Sequence, residues 1–106
     1  MRILLDESVP EQLGGLIQGH TWSSVRREGW AGLKNGVLLA AAAKDFDVFL
    51  TADKNMEFQQ NLATLPLSIL VMRARSNRVT DLKLLVPAVC LALKQLTPKT
   101  LVKIAM

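Results

Sequence analysis

The chain has 106 residues, half of them hydrophobic and 21% charged, with a formal net charge of +4. That length supports one domain with one core rather than two, and the composition excludes a disordered chain. No apolar run approaches the ~20 residues needed to cross a bilayer. Acids follow the first apolar run, where a signal peptide would continue, so a cytoplasmic protein without a membrane partner is expected. The single Cys90 cannot form an internal disulfide and lies in the apolar run LLVPAVCLAL, which reads as a buried structural thiol. The basic balance mildly favours an anionic partner.

Residues 2–5, RILL, are predicted as a buried strand. Ser8 and Glu11 have capping-box spacing and Pro10 falls in the first turn, so a helix is expected from Val9. Leu13, Leu16 and Ile17 would share one face of it, and Gly19 would end it. HTWSSV, 20–25, alternates like a strand and leads into the loop RREGWAGLKN. Asn35 is placed to cap a helix to about Lys44, and VLLAAAA within it is apolar nearly all round, as a buried helix would be. DVFLTA, 47–52, and LSILVM, 67–72, read as the third and fourth strands, with a short helix over roughly 56–62 between them. Thr80 is expected to cap a long helix with a stripe of Leu82, Leu85, Val86, Val89, Leu93 and Leu96, which Pro87 must kink or divide. TLVKIA, 100–105, is the last strand. This alternation predicts an α/β domain, a five-stranded and mainly parallel sheet covered by helices on both faces.

In such a sheet every βα loop leaves at one edge, and ligands bind at the carboxyl ends of the strands. Asp6 and Glu7 leave strand 1 and Asp53 leaves strand 3. If those strands are neighbours, the three carboxylates converge at the topological switch point and repel unless a cation lies among them. Oxygen ligands without His or Cys suit Mg²⁺ or Mn²⁺ rather than zinc. Arg26, Arg27 and Lys34 follow strand 2, Lys54 follows strand 3, and Arg73, Arg75 and Arg78 follow strand 4. Seven of the 13 basic residues are therefore expected to ring the acids. A cation held at the centre and phosphates held at the rim is what metal-assisted phosphodiester cleavage requires. Asn77 and Gln59 join Lys54, Arg73, Arg75 and Arg78 as substrate-binding candidates. The competing reading is that loops simply carry solvated charges. His20 has no partner at metal-ligand spacing and reads as a turn residue. Trp22 and Trp30 read as core residues rather than stacking platforms. No phosphate-binding loop, dinucleotide fingerprint or nucleophile elbow is present.

The stretches MRILLDES, GHTW, EGWAGLKNG, FDVFLTADKNMEFQQNL and RARSNRVTDL resemble, in order and through nearly the whole chain, the short PIN-like proteins of bacteria. These are compact relatives of PIN-domain nucleases, and the most specific part of the likeness is TAD at 51–53. The resemblance implies a three-layer α/β/α fold and a metal-dependent ribonuclease, in many cases the toxin of a toxin–antitoxin pair. RNA is then the substrate and an antitoxin protein a partner, with a homodimer left open. It implies Asp6 and Asp53 as metal ligands, joined by Glu7 as catalytic acids, with Thr51 supporting the site. PIN nucleases usually carry another acid at the start of the helix before TAD, where this chain has Asn35. A neutral amide is a poorer ligand. Glu7 or Asp81 would supply the missing charge; otherwise the site is weakened or inactive.

Two alternatives stay open. A phospho-receiver domain also places paired acids after strand 1 and a phosphate-accepting aspartate after strand 3, here Asp53 in DKNM, and binds Mg²⁺ there. Such a domain wants Ser or Thr at the end of strand 4, where Met72 and Arg73 stand, Lys-Pro after strand 5, where Ile104 follows Lys103, and a final helix. The other alternative is a PIN-like module that binds RNA or a protein without catalysis.

Overall fold

Runs of branched and aromatic residues form five strands in the computed structural model, which describes residues 1–105. They are β1 (Arg2–Leu5), β2 (Thr21–Ser24), β3 (Val48–Thr51), β4 (Ser68–Arg73) and β5 (Leu101–Ala105). All four pairings are parallel and the sheet order is β2-β1-β3-β4-β5. The chain steps outward from β1 to β2, then returns across β1 to place β3 on its other side. The winding therefore reverses between β1 and β3, the position where parallel sheets open a crevice for ligands.

The period-2 alternation of the strands divides their side chains between two hydrophobic clusters. Ile3, Leu5, Leu50 and Met72 enter one, with Leu13, Leu82, Val89 and Leu93. Leu4, Phe49, Ile69 and Val71 enter the other, with Leu38, Leu39, Ala42 and Met56. Burial on both sides explains why the central strands are apolar without a polar alternate. Four α-helices contribute to these clusters: α1 (Asn35–Ala42), α2 (Met56–Gln59), α3 (Val79–Lys83) and α4 (Val86–Lys94). Two 3-10 turns, Glu11–Leu16 and Leu62–Thr64, complete the regular structure. Pro87 divides the expected long helix into α3 and α4 and lies in the first turn of α4, where its missing N–H costs little. Among the described residues no helix is long and apolar enough to cross a membrane.

Several local expectations are corrected. No α-helix starts at Val9, because tertiary contacts take both members of the expected capping box. The Ser8 hydroxyl bonds to Asp6 and Ala52, while the Glu11 carboxylate turns to Ser24 and Arg26. The segment is a 3-10 turn instead, with Leu13 and Ile17 buried and Leu16 exposed. Gly14 lets this turn lie on β2, since a Cβ there would sit 2.3 Å from ring atoms of Trp22. The cap of α1 is Lys34 rather than Asn35, whose amide reaches Gln59 on α2. Only Leu38, Leu39 and Ala42 of that helix are buried, so it is one-sided, with Val37 in solvent. Thr80 is inside α3, which Arg78 precedes as cap. Cys90 is half-buried rather than enclosed.

The Gly14 contact has a measurable consequence. Gly14→Ala should cost ~1–3 kcal/mol, the usual range for overpacking, because the Trp22 ring must move. Gly15→Ala should cost nothing, as an added Cβ there meets no atom within 4 Å. Urea denaturation of both variants checks this, and equal losses would remove the Trp22 explanation.

Candidate active site

The β1–β3 ladder runs one residue past β1, since the Asp6 N–H donates to the Leu50 carbonyl at 2.9 Å. This fixes the backbone of Asp6 beside the end of β3. Two hydroxyls then fix its side chain: Ser8 Oγ and Thr51 Oγ1 each donate to Asp6 Oδ2 at 2.7 Å. Each hydroxyl also accepts a main-chain N–H from the segment leaving β3. Ser8 Oγ accepts from Ala52 at 3.0 Å and Thr51 Oγ1 from Asp53 at 3.0 Å. Thr51 is fully buried, so these bonds form where water cannot compete. A single hydroxyl, that of Thr51, thus separates the Asp6 carboxylate from the backbone of Asp53. Asp53 Oδ1 in turn accepts the N–H of Asn55 at 3.0 Å, an Asx turn that holds the loop in shape.

The pattern leaves one oxygen of each carboxylate without a protein donor among the described residues. The bonds to Asp6 all land on Oδ2, and the bond to Asp53 lands on Oδ1. A carboxylate held by one oxygen and open at the other is how metal ligands are commonly oriented. Mg²⁺ is often bound through one or two carboxylates, with water and substrate phosphate completing its shell. Asp6 and Asp53 each keep the open oxygen that a divalent cation would need. No group of three or more His, Cys, Asp and Glu is arranged to hold a metal among the described residues.

The other expected ligands are placed differently. Glu7 points to solvent beside Asp6. The Asp81 carboxylate accepts from Ser76 Oγ at 2.6 Å and lines a hollow with Arg75, Arg78 and Thr80. Asn35 ties α1 to α2 through Gln59, so both side chains of that candidate pair are engaged with each other. Lys54, Arg75, Asn77 and Arg78 are exposed on the loops that follow β3 and β4, whereas Arg73, expected after the strand, is the exposed last residue of β4 itself.

Sequence reasoning missed Ser8 and Glu11 as parts of this site, having assigned both to a helix cap. Glu11 accepts from Ser24 Oγ and from Arg26, with Arg27 Nε at 3.6 Å. The Ser24 hydrogen bond, followed by that of Arg26, holds the Glu11 carboxyl below its ordinary value of 4.5. The Arg27 guanidinium also lies over the Trp22 ring, 4.3 Å from its centroid. Trp22 is thereby occupied by Arg27 and Gly14, and Trp30 packs edge-on against Phe46, so both tryptophans serve packing. No protein-family model, characterised protein or solved structure matches the chain.

Proposed function

We propose that the protein is a Mg²⁺- or Mn²⁺-dependent ribonuclease of PIN-like type, with a three-layer α/β/α arrangement. The observation that carries this reading is the Asp6–Thr51–Asp53 link across the switch point, with one open oxygen on each carboxylate. A divalent cation bound there would supply an activated water and offset charge on the phosphorane. The chain's own part is positioning. Ser8 and Thr51 hold Asp6 in one orientation, and the Asx turn at Asn55 does the same for Asp53. Lys54, Arg75 and Arg78 offer charge to the phosphates of the RNA on either side of the scissile bond. Asn35 leaves the acid set one carboxylate short of the pattern in PIN nucleases. The resemblance extends the proposal to a toxin partnered by an antitoxin protein.

Metal binding is tested first by melting. Mn²⁺ at about 100 times its Kd should stabilise the wild type by about 2.7 kcal/mol. Asp6→Asn should abolish that response while keeping an oxygen for Ser8 and Thr51. The same metal shift in both proteins would exclude Asp6 as a ligand.

The strand order β2-β1-β3-β4-β5 and an aspartate after β3 also favour a phospho-receiver reading. Two features oppose it. β4 ends in Met72 and the exposed Arg73, with no hydroxyl there, and Lys103 pairs with Glu57 at 3.1 Å. Incubation with a small phosphodonor and Mg²⁺ should leave the protein mass unchanged. An acid-stable adduct on Asp53 would make the receiver reading the better one.

A further inference from the structure

The two flanks of the acid pair differ in how their cations are used. The sheet order puts β2 on one side of the β1–β3 pair and β4 on the other. On the β2 flank both arginines converge on one carboxylate, Glu11, which Ser24 also binds. On the β4 flank Arg73, Arg75 and Arg78 are exposed and make no salt bridge among the described residues.

Building on the ribonuclease reading, we propose that RNA reaches the acid pair over the β4 flank, on Arg75 and Arg78. Glu11 closes the β2 flank to it by neutralising Arg26 and Arg27. The exclusion does not depend on the ion pair staying shut. Exposed pairs contribute little to stability, and a polyanion could open one. The Glu11 carboxylate would remain within the flank even then, because Ser24 still donates to it. Glu7 adds a second acid at the same hollow, which Asp6, Glu11, Ser24 and Arg26 also line. Arg27 is further restrained by its seat on Trp22. Phosphate approaching from this side meets more carboxylate than free guanidinium.

The β4 flank offers the opposite balance. Arg75 and Arg78 line a hollow of ≈ 440 Å³ with the hydroxyl residues Ser76 and Thr80. Its one acid, Asp81, is already bonded to Ser76. The Ser76 proton is spent on that bond, so the guanidinium groups and the Thr80 hydroxyl are the donors left for phosphate oxygens, and Arg donates in a fixed fork geometry.

The test measures binding of a fluorescein-labelled oligouridylate by anisotropy across a salt series, in EDTA so that no cleavage occurs. For a single strand, each lost phosphate contact should reduce the slope of log K against log salt by about 0.7. Arg75→Ala/Arg78→Ala should show that reduction for both contacts and weaken binding. Arg26→Ala/Arg27→Ala should leave the slope unchanged. Glu11→Gln, which keeps an acceptor for Ser24, should bind RNA more tightly and with a steeper slope. Circular dichroism confirms that each variant is folded. Equal slopes lost on the two flanks, no gain from Glu11→Gln, or no binding by the wild type would each overturn the proposal. Because EDTA removes the chemistry, these outcomes are separate from the ribonuclease reading, which is decided by Mn²⁺-dependent cleavage.

Discussion

Asp53→Asn should reduce Mn²⁺-dependent cleavage of RNA by about 10²–10⁴ while leaving the metal-free melting curve unchanged. The stability half of this expectation follows from the Asx turn. The Asn55 N–H donates to Asp53 Oδ1, and an asparagine side chain keeps an oxygen for that bond. The Asp53 N–H bond to the Thr51 hydroxyl uses only the main chain of Asp53 and is also retained. What the variant removes is charge at the open side of the carboxylate. A bound metal contributes several kcal/mol of transition-state stabilisation, and each 1.36 kcal/mol is about tenfold in rate. Losing one of two anionic ligands therefore costs orders of magnitude in rate. Gel-based cleavage at saturating Mn²⁺, with melting by circular dichroism, measures both halves. Unimpaired cleavage by the variant would take Asp53 out of the mechanism. Asn35→Asp is the converse experiment, since it supplies the acid that PIN nucleases carry at the start of that helix, and it should raise activity. If neither the wild type nor Asn35→Asp cuts RNA, the non-catalytic binding module becomes the better reading.

Thr51→Val should lose both stability and metal affinity, an outcome that separates the hydroxyl from the space it fills. Valine matches the threonine in shape and suits a fully buried strand position, so packing is nearly conserved. The hydroxyl, however, donates to Asp6 and accepts from Asp53. Its removal leaves the Asp53 N–H without its acceptor and Asp6 with one donor instead of two. Leaving a buried polar group unsatisfied costs about 1–3 kcal/mol. At about 4–8 °C per kcal/mol in a domain near this size, the melting temperature should fall clearly. Loss of a group that orients a metal ligand typically costs about 10–100-fold in metal affinity. Thr51→Ser keeps the hydroxyl and should restore Mn²⁺ binding even where stability stays low. A Thr51→Val protein that melts early but binds Mn²⁺ normally would reduce Thr51 to a structural residue.

The strand framework was legible because its signals are local. RILL, VFLT and SILVMR are short apolar runs ended by charge, and burial on both sides of a parallel sheet demands that composition. Pro87 likewise announced the break between α3 and α4, since a proline can only start a helix or interrupt one. Asp6 and Asp53 stood out for the same reason, each being the first acid after such a run. Their adjacency was conditional in the sequence, and only the sheet order made β1 and β3 neighbours.

The roles of Ser8, Glu11 and Asn35 could not be read this way. Each has a local use, as a helix cap or a capping-box partner, and each has a partner elsewhere in the chain that won. Ser8 bonds across 43 residues to Thr51 and 44 to Ala52, Glu11 across 15 to Arg26, and Asn35 across 24 to Gln59. A charged or doubly bonded side chain gains more from such contacts than from one exposed helix end, especially where Gly14 and Gly15 already weaken the helix. The sequence by itself determined the strands, the apolar core and the two acids. Which hydroxyls hold those acids, and which arginines remain free beside them, was decided only when the tertiary structure set these distant groups in competition for the same hydrogen bonds.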